Sequence, residues 1–399
     1  MTLRDIPKMR FTFWKAVFLF IMAAGAYCTY LRFFKGLGAS TNLSDQFPWG
    51  LWIGFDVMCG VMLAAGGFTL TAAVHLFNIK RFHPIIRPTI LTAFLGYLLV
   101  CAALMYDLGL PWNIWHPLIM RNPHSVMFEV AYCVMLYTTV LALEFSPIVF
   151  EHFGLEKPLR LVKKVMWIFI ILGVLLSTLH QSSLGTLYLI MPNKLHPFWY
   201  SPLLPVFFYL SAIAVGLAMT IFESSMSSKY FGRQLELPLL KDLGRVLAVV
   251  LALYGILRLQ DLYHRGVLHL VIVSSYEQRF FLLEIALSVI LPIGLLMIPK
   301  VRNNAQGLYL AAVLALLGFV TNRLNVAITG VETASGGRYS PKWTEVVITA
   351  MFIALGFAIF GFVARYLPIF ADEEQEHAPR LPESQATDSE LAVPVHAGD

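Results

Sequence analysis

The sequence predicts an all-α integral membrane protein with ten transmembrane helices. Of its 399 residues, 58% are hydrophobic and only 13% are charged, which is too little polar surface for water-soluble domains of this size. Apolar stretches of roughly 20 residues, the helix length that crosses about 30 Å of hydrocarbon, recur along the chain. The predicted spans are 11-34, 50-78, 88-108, 124-147, 161-182, 202-224, 242-262, 280-298, 307-328 and 344-367.

The distribution of basic residues predicts the orientation of these helices. Nineteen of the 29 Lys and Arg residues lie on the N-terminal side of the predicted membrane and eight lie on the opposite side. This bias predicts that both termini are cytoplasmic, and the positive charge is a topology signal that gives no indication of nucleic-acid binding. The opening "MTLRDIPKMR" leads into an apolar core too long for a signal peptide, so the first helix is predicted to be retained. Residues 371-399 are acidic and poor in aromatics, which predicts a disordered cytoplasmic tail after a membrane domain at 1-370.

The cysteines and histidines argue against a metal or haem in this chain. Each of the four cysteines stands alone in a predicted helix, without the clustered spacing of an iron-sulfur or zinc site. Two histidines on facing helices at one depth could ligate haem. His75 and His180 are the two within predicted spans, and they lie near opposite ends, so no haem and no metal site is expected.

Ionisable and polar residues within the spans gather toward the outer end of the predicted bundle. Each charge in a bilayer costs at least about 2.5 kcal/mol, so each is by default a functional hypothesis. Residues predicted to share this level are Asp56, Asp107, Glu129, His180, Gln181, Ser182, Ser183, Arg258, Asp261, Glu284 and Arg323. One interpretation is that Arg258 with Asp261, and Arg323 with Glu284, are ion pairs that hold the helices together. The other is a single polar pocket that opens sideways to lipid.

Such a pocket suits a quinone. The head group has two carbonyl oxygens that need donors, and its reduction takes two protons from groups such as histidine or carboxyl. A second set toward the cytoplasm, Glu144 and Glu223, is predicted to start a proton path, with solvated helix ends as the alternative interpretation.

Five stretches carry a resemblance to a known family: "FPWGLWIGFDVMCGVMLAAGGF", "HPIIRP", "NPHSVMFEVAYCVMLYTTVLALEFSP", "LHQSSLGTLYL" and "KLHPFWYSPLLP". In order and spacing they resemble the membrane subunit of respiratory nickel-iron hydrogenases of the second type, in the polysulfide reductase NrfD-like family. The resemblance extends to about residue 368. It implies two quasi-repeated four-helix bundles, at about 50-182 and 202-328, plus two flanking helices.

The resemblance also implies partners and residue roles. A periplasmic ferredoxin-like iron-sulfur subunit would deliver electrons from the hydrogenase small and large subunits to menaquinone or ubiquinone in the bacterial inner membrane. Glu129 of "NPHSVMFE" resembles a proton-handling carboxylate beside the quinone, and His180 of "LHQSSLG" resembles a pocket donor. Asp56, Asp107, Gln181, Ser182, Arg258, Asp261, Glu284 and Arg323 are the further candidates for quinone binding.

Several other functions are compatible with the sequence. These are an equivalent subunit of another periplasmic oxidoreductase of the polysulfide reductase type, a haem-carrying cytochrome b, a secondary transporter and a purely structural anchor. Protons drawn from the cytoplasm would make quinone reduction electrogenic, whereas protons drawn from outside would make it electroneutral. Intramembrane carboxylates and Gly-rich helices are also transporter features, but the charges here gather at one face and not at the midplane.

Overall fold

The computed structural model describes residues 12–191 and 193–370, and all regular elements in these ranges are helices. The predicted tail at 371-399 lies outside the described residues. We number the ten long segments in chain order: α1 Phe13–Lys35, α2 Trp52–Leu76, α3 Ile86–Asp107, α4 Val126–His152, α5 Glu156–Leu189, α6 Leu204–Phe231, α7 Leu237–His264, α8 Tyr276–Met297, α9 Ala305–Ser335 and α10 Trp343–Tyr366. Short helical turns lie in the connections between them.

The ten segments coincide with the ten predicted spans, and the all-α membrane fold is confirmed. Eight segments are long and apolar enough to cross a membrane. The other two are α5, with 34 residues, and α7, with 28 residues. The number of ten crossings and the cytoplasmic location of both termini therefore stay predictions.

One boundary differs from its prediction in a way that matters for the site. The predicted fifth span ends at residue 182, whereas α5 continues to Leu189. Thr186 donates its hydroxyl to the Ser182 carbonyl, so the polar residues after His180 do not end the helix. His180 is consequently nine residues inside α5, about 13 Å along the axis from its last residue.

We refer to helices α2 to α5 and α6 to α9 as two four-helix groups, with α1 and α10 packed on each other at one side, and the predicted bundle bounds stay a prediction. Helices α2 to α5 pack together, as do α6 to α9, and α6 joins the groups through its contacts with α2 and α5. Glycine permits the close approach of α6 to α2, because a Cβ on Gly216 of α6 would lie 2.9 Å from the Gly66 nitrogen of α2.

Helix α2 is irregular along most of its length. It begins as π-helix at Trp52–Cys59, continues as α-helix at Gly60–Leu63, breaks at Ala64 and Ala65, and resumes at Gly66–Thr71. At the break, Ala65 N–H donates to the Met62 carbonyl. Broken helices are tolerated in membranes where other groups satisfy the freed backbone atoms, and π-turns are frequent at functional sites.

The helix ends define two ends of the protein. We call the end with the 190–203 connection the Trp199 end and the end with the 232–236 connection the Gly232 end. At the Gly232 end, ion pairs join neighbouring helices. Glu151 of α4 pairs with both Arg87 and Lys163, each at 3.0 Å, and Arg81 pairs with Asp242.

Candidate functional site

Hydrogen bonds divide the predicted outer residues into separate groups. His180 and Gln181 lie between α3, α4 and α5, and Glu129 contacts the adjacent Ser183. Glu284 and Arg323 lie inside the α6–α9 group, and Arg258 and Asp261 lie nearer the 190–203 connection. Asp56 and Asp107 contact α1 and α10. Each group has its own partners, so the residues do not form one continuous hydrogen-bonded cluster.

The His180 ring is fully buried and both its nitrogens have partners. Nδ1 lies 3.0 Å from the Leu176 carbonyl oxygen, which only accepts, so Nδ1 carries the proton. Nε2 therefore presents its lone pair, and the Tyr97 hydroxyl donates to it. The ring is thus a neutral imidazole whose Nε2 lone pair accepts a hydrogen bond from Tyr97 of α3.

Three buried polar atoms around this ring have no hydrogen-bond partner. They are the Tyr137 hydroxyl, the Ser177 hydroxyl and Gln181 Oε1. The Tyr137 ring centroid lies 5.7 Å from that of His180 and 4.7 Å from that of Tyr97. Buried polar groups are normally satisfied, and an unsatisfied one in a native fold is a sign of water, ligand or chemistry at that place.

Glu129 is on α4, and its carboxylate contacts α5 at Ser183. This contact is about one turn of α5 beyond His180, toward the Trp199 end. Ser183 donates its hydroxyl to Glu129 Oε1 at 2.6 Å, and Ser183 lies three residues after His180, on a neighbouring part of the same helix face. Glu129 sits in the first turn of α4, whose N-cap Ser125 accepts the Phe128 N–H. The carboxylate is half-buried, with one hydrogen bond from a side chain, so it keeps acceptor capacity for another molecule. Ser182 instead donates to the Thr178 carbonyl of its own helix and does not join this contact.

Glu284 is the centre of a saturated network in the other helix group. Its Oε2 accepts from Trp199 Nε1 at 2.8 Å and from Asn325 Nδ2 at 2.9 Å, and its Oε1 accepts from Asn322 Nδ2 at 2.8 Å. Asn322 in turn accepts from Arg323 Nη1 at 2.9 Å. The interpretation of a direct Arg323–Glu284 ion pair is therefore wrong, because Asn322 stands between the two charges.

Arg323 is buried and its other contacts are on α6. It donates to Ser211 Oγ at 2.8 Å, and its guanidinium lies 3.6 Å from the centroid of the Phe208 ring. The cation is therefore balanced by a hydroxyl, an amide and an aromatic face.

The interpretation of an Arg258–Asp261 ion pair is also wrong. Asp261 pairs with Arg265, one turn further along α7, at 2.7 Å, and accepts the Ser201 hydroxyl at 2.7 Å. Arg258 donates to the Phe198 carbonyl at 2.7 Å, and its buried Nε has no partner. Positions 258 and 261 are three apart on a helix, but Asp261 is bonded to Arg265, four residues later, and Arg258 is bonded to a backbone carbonyl.

A fourth group joins α2 and α3 to the flanking helices. Asp56 accepts the Thr349 hydroxyl of α10 at 2.7 Å, and one oxygen of Asp107 is buried without a partner. Arg32 of α1 donates to carbonyls near the end of α3. Glu345 of α10 accepts the Tyr339 hydroxyl at 2.8 Å. Arg32, Glu345 and Thr349 were absent from the predicted set, because each lies at a helix end or is uncharged.

The two predicted proton-path residues lie nearer the Gly232 end. A carboxylate oxygen of Glu144 lies 2.8 Å from where a Cβ of Gly173 would be, so α5 has glycine where this side chain enters. Glu223 of α6 accepts the Thr92 hydroxyl of α3 at 2.7 Å. Both side chains are buried, which does not agree with the interpretation of solvated helix ends.

Sequence reasoning missed the uncharged partners of the site. Tyr97, Tyr137, Ser177, Trp199, Asn322 and Asn325 make or complete its contacts, yet none carries a charge. The available signal was spacing, because Ser177, His180, Gln181 and Ser183 recur at three- and four-residue intervals on α5.

The residues around His180 are not arranged to bind a metal ion. Within the described ranges, no group of three or more His, Cys, Asp or Glu side chains is placed to hold a metal ion. Both nitrogens of His180 are already engaged, so the ring is not set to ligate iron. The partially open contact between Glu129 and Ser183 does fit a quinone carbonyl, which needs a donor and a nearby proton source.

Known proteins resemble the chain over nearly its whole length. The profile of the family described as "Polysulphide reductase, NrfD" matches residues 39–335. A protein of Nitratidesulfovibrio vulgaris Hildenborough is 41% identical over 359 residues, covering 88% of this chain and 92% of the relative. The "Probable Ni/Fe-hydrogenase 2 b-type cytochrome subunit" of Escherichia coli K12 is 36% identical over 360 residues, covering 89% and 92%. The "Menaquinone reductase, integral membrane subunit" of N. vulgaris Hildenborough is 29% identical over 394 residues, covering 92% and 93%.

Proposed function

Because the chain belongs to the polysulphide reductase NrfD family, we propose that it is the membrane anchor and quinone-reacting subunit of a hydrogen-oxidising nickel-iron hydrogenase complex. Electrons from the hydrogenase small and large subunits would pass through a periplasmic ferredoxin-like iron-sulfur subunit to menaquinone or ubiquinone. The protein would lie in the bacterial inner membrane with both termini in the cytoplasm. The names of two relatives, one a hydrogenase subunit and one a menaquinone reductase subunit, support the two halves of this proposal.

The contact between Glu129 and Ser183, one turn from His180, is the observation that carries the proposal. Quinone reduction consumes two electrons and two protons, so the site needs proton donors beside the head group. Glu129 is half-buried with spare acceptor capacity, and Met127 and Phe128 beside it give an apolar approach from lipid. In this assignment Glu129 passes protons to the reduced quinone, and the Ser183 hydroxyl fixes the orientation of the carboxylate.

A line of polar groups supports proton supply from the Gly232 end. It runs along α4 and α5 from Glu144 through Tyr137 and Ser177 to His180. Glu144 Oε1 and the Tyr137 ring lie 2.8 and 3.6 Å from where a Cβ of Gly173 would be, and the Tyr137 ring lies beside that of His180. The unpartnered Tyr137 and Ser177 hydroxyls would bond to water in such a path. Glu223 with Thr92 would be a branch from α6. Protons that follow this line would make quinone reduction electrogenic.

Substitution of Glu129 tests the proposal directly. In the purified complex, Glu129→Gln keeps the shape and the hydrogen bond from Ser183 but removes the exchangeable carboxyl proton. We expect hydrogen-dependent quinone reduction to fall by about 10²-fold or more, the usual contribution of a general acid or base. Hydrogen oxidation with an artificial dye as electron acceptor should be unchanged. Glu156→Gln, an exposed carboxylate at the other end of α5, is the matched control.

The result that would reject this role is full quinone reduction by an assembled Glu129→Gln complex. It would favour a structural anchor, in which the polar residues only hold the helices and the partner subunit together.

A second candidate function follows from the family itself. The family is described by polysulphide reductase, so an equivalent quinone-linked subunit of another periplasmic oxidoreductase is the alternative. The two functions differ in the partner and share the quinone site. Purification of the tagged chain from native membranes, followed by identification of the catalytic subunit that accompanies it, distinguishes them. A nickel-iron large subunit supports the first function, and a different oxidoreductase subunit supports the second.

A further inference from the structure

Gln181 bridges the His180 ring and the break in helix α2. Its Nε2 donates to the Val61 carbonyl oxygen at 3.0 Å, and the same nitrogen lies 3.4 Å from His180 Nε2. Val61 is followed within four residues by the break at Ala64 and Ala65. Ala65 N–H donates to Met62, so it is Gln181 that supplies a donor to the Val61 carbonyl.

This arrangement suits a His180 ring that is unprotonated at Nε2. Nδ1 already carries a proton, because it faces the Leu176 carbonyl. A second proton on Nε2 would place an N–H donor against the N–H donors of the Gln181 amide. The amide oxygen, Gln181 Oε1, is buried and has no partner, so it can accept from a protonated ring together with the Tyr97 hydroxyl oxygen, which lies against Nε2.

We propose that Gln181 is a positioning residue that couples proton loading of His180 to the break in α2. When Nε2 receives a proton, the Gln181 amide turns over and Oε1 accepts the new N–H. The turn removes the donor from the Val61 carbonyl and brings two oxygens face to face, which pushes α2 away from α5. When His180 passes its proton on, the amide turns back and the Val61 contact re-forms.

The neighbouring hydroxyls allow the same change. Tyr97, which donates to unprotonated His180, can turn its hydroxyl proton toward Ser177, whose oxygen is buried and unpartnered. The proton and hydrogen-bond count is conserved, since the single added proton arrives on Nε2 and leaves from it. The unpartnered Ser177 and Gln181 oxygens are thus the acceptors of the second state.

Titratable groups on the surrounding helices define the electrostatic setting of the ring. They are Tyr97 and Cys101 on α3, Glu129, Cys133, Tyr137 and Glu144 on α4, Cys59 on α2 and Glu223 on α6. Cys59 is bonded to the Gly54 carbonyl and Glu223 to Thr92, so neither competes for His180. This inference rests on the proposed function, in which His180 takes up and releases protons.

Hydrogen–deuterium exchange of the intact complex tests the coupling without relying on activity. We would compare the amides of residues 62–67 in the wild type and in Gln181→Met, which keeps the side-chain length and removes both amide atoms. Loss of the Val61 contact should speed exchange there by about tenfold, the effect of one lost hydrogen bond. Thr178→Val, one turn away and bonded within α5 to the Val174 carbonyl, should leave this exchange unchanged.

Two substitutions of His180 separate coupling from simple packing. His180→Lys presents only donors to Gln181 and mimics the protonated ring, so exchange in 62–67 should rise although Gln181 is intact. His180→Phe has no donor and should leave exchange slow. Equal exchange in these two variants, or slow exchange in Gln181→Met, would overturn the coupling.

A measurement on the wild type covers the case in which a variant does not fold. Exchange in 62–67 should be faster during steady quinone reduction than in the oxidised resting complex. If quinone is reduced and this difference is absent, the coupling fails and the proposed function stands. If the complex does not reduce quinone at all, the proposed function fails first.

Discussion

Each four-helix group has a carboxylate between its third and fourth helices. The two carboxylates differ in the number of hydrogen bonds that they accept. Glu129 reaches from α4 to α5 and has one side-chain donor, Ser183. Glu284 reaches from α8 to α9, is fully buried, and has three donors from Trp199, Asn322 and Asn325. The carboxylate with spare acceptor capacity is suited to reaction with a molecule from outside, whereas the saturated one is suited to hold helices together.

The surroundings of the two carboxylates differ in the same sense. Around His180, in the same group as Glu129, the buried oxygens of Tyr137, Ser177 and Gln181 lack partners. Near Glu284, both amide side chains and the Arg323 guanidinium are bonded. Polar networks that are fully satisfied give rigidity, and partly satisfied ones are costly unless water or a ligand completes them. The first group is therefore the better candidate for the quinone and proton chemistry, although both were predicted to contribute to one pocket.

Removal of the saturated carboxylate should have the largest effect. Glu284→Ala leaves three buried N–H donors without an acceptor and leaves Arg323 without its link to a negative charge. We expect a loss of at least about 3 kcal/mol of stability, seen as little folded protein in membranes and a lower thermal midpoint in detergent. Glu277→Ala, two turns earlier on α8 and bonded to the Thr333 hydroxyl at an exposed position, is the control. A stable Glu284→Ala protein without quinone reductase activity would reverse the assignment of roles to the two groups.

Helix positions were predictable because the hydrophobic pattern reports them directly. The partners of each charge were not, because they depend on the rotation and depth of neighbouring helices. Asp261 and Arg258 share a helix, yet the carboxylate is bonded to Arg265 and to Ser201 of the preceding connection. The extension of α5 to Leu189 was hidden by the polar run His180, Gln181, Ser182 and Ser183, which resembles a helix end in sequence. Glu129 and His180 were selected as ionisable residues within spans and received their roles from a resemblance, whereas Tyr97 and Tyr137, being uncharged, gave no separate signal.

A smaller effect is expected from Glu144 of α4, which has no counterpart on α8. In the second group, α8 continues from Glu284 to Met297 without a charged residue. If protons pass along α4 and α5, Glu144→Gln should lower the number of protons translocated per electron toward zero. Quinone reduction should slow by about tenfold or more, because proton transfer through a carboxyl is lost.

To test Glu144, we would add hydrogen and quinone to liposomes that contain the complex and measure the pH change outside them. Glu151→Gln, on the same helix but paired with Arg87 and Lys163, is the control. Unchanged translocation in Glu144→Gln would remove this line as the path and leave an electroneutral reaction or another route.

The smallest predicted effect is a dependence of the stability of the 190–203 connection on pH. This connection contains Trp199, which donates to Glu284. His196 is half-buried there, and its Nδ1 accepts the Phe198 N–H at 3.2 Å.

Burial lowers the pKa of His196, and nearby Glu277 opposes this in part. Because the neutral form is favoured in the folded protein, stability is complete above the unfolded pKa of about 6.5. It declines as pH falls from that value toward the lower pKa of the folded protein, since the unfolded chain binds a proton that the buried ring resists. Amide exchange at residues 197–200, corrected for its intrinsic pH dependence, should therefore increase between about pH 6.5 and 5. His196→Gln, which has no titrating group, should abolish that increase. If the variant keeps it, the titrating group lies elsewhere and the Glu284 network is independent of His196.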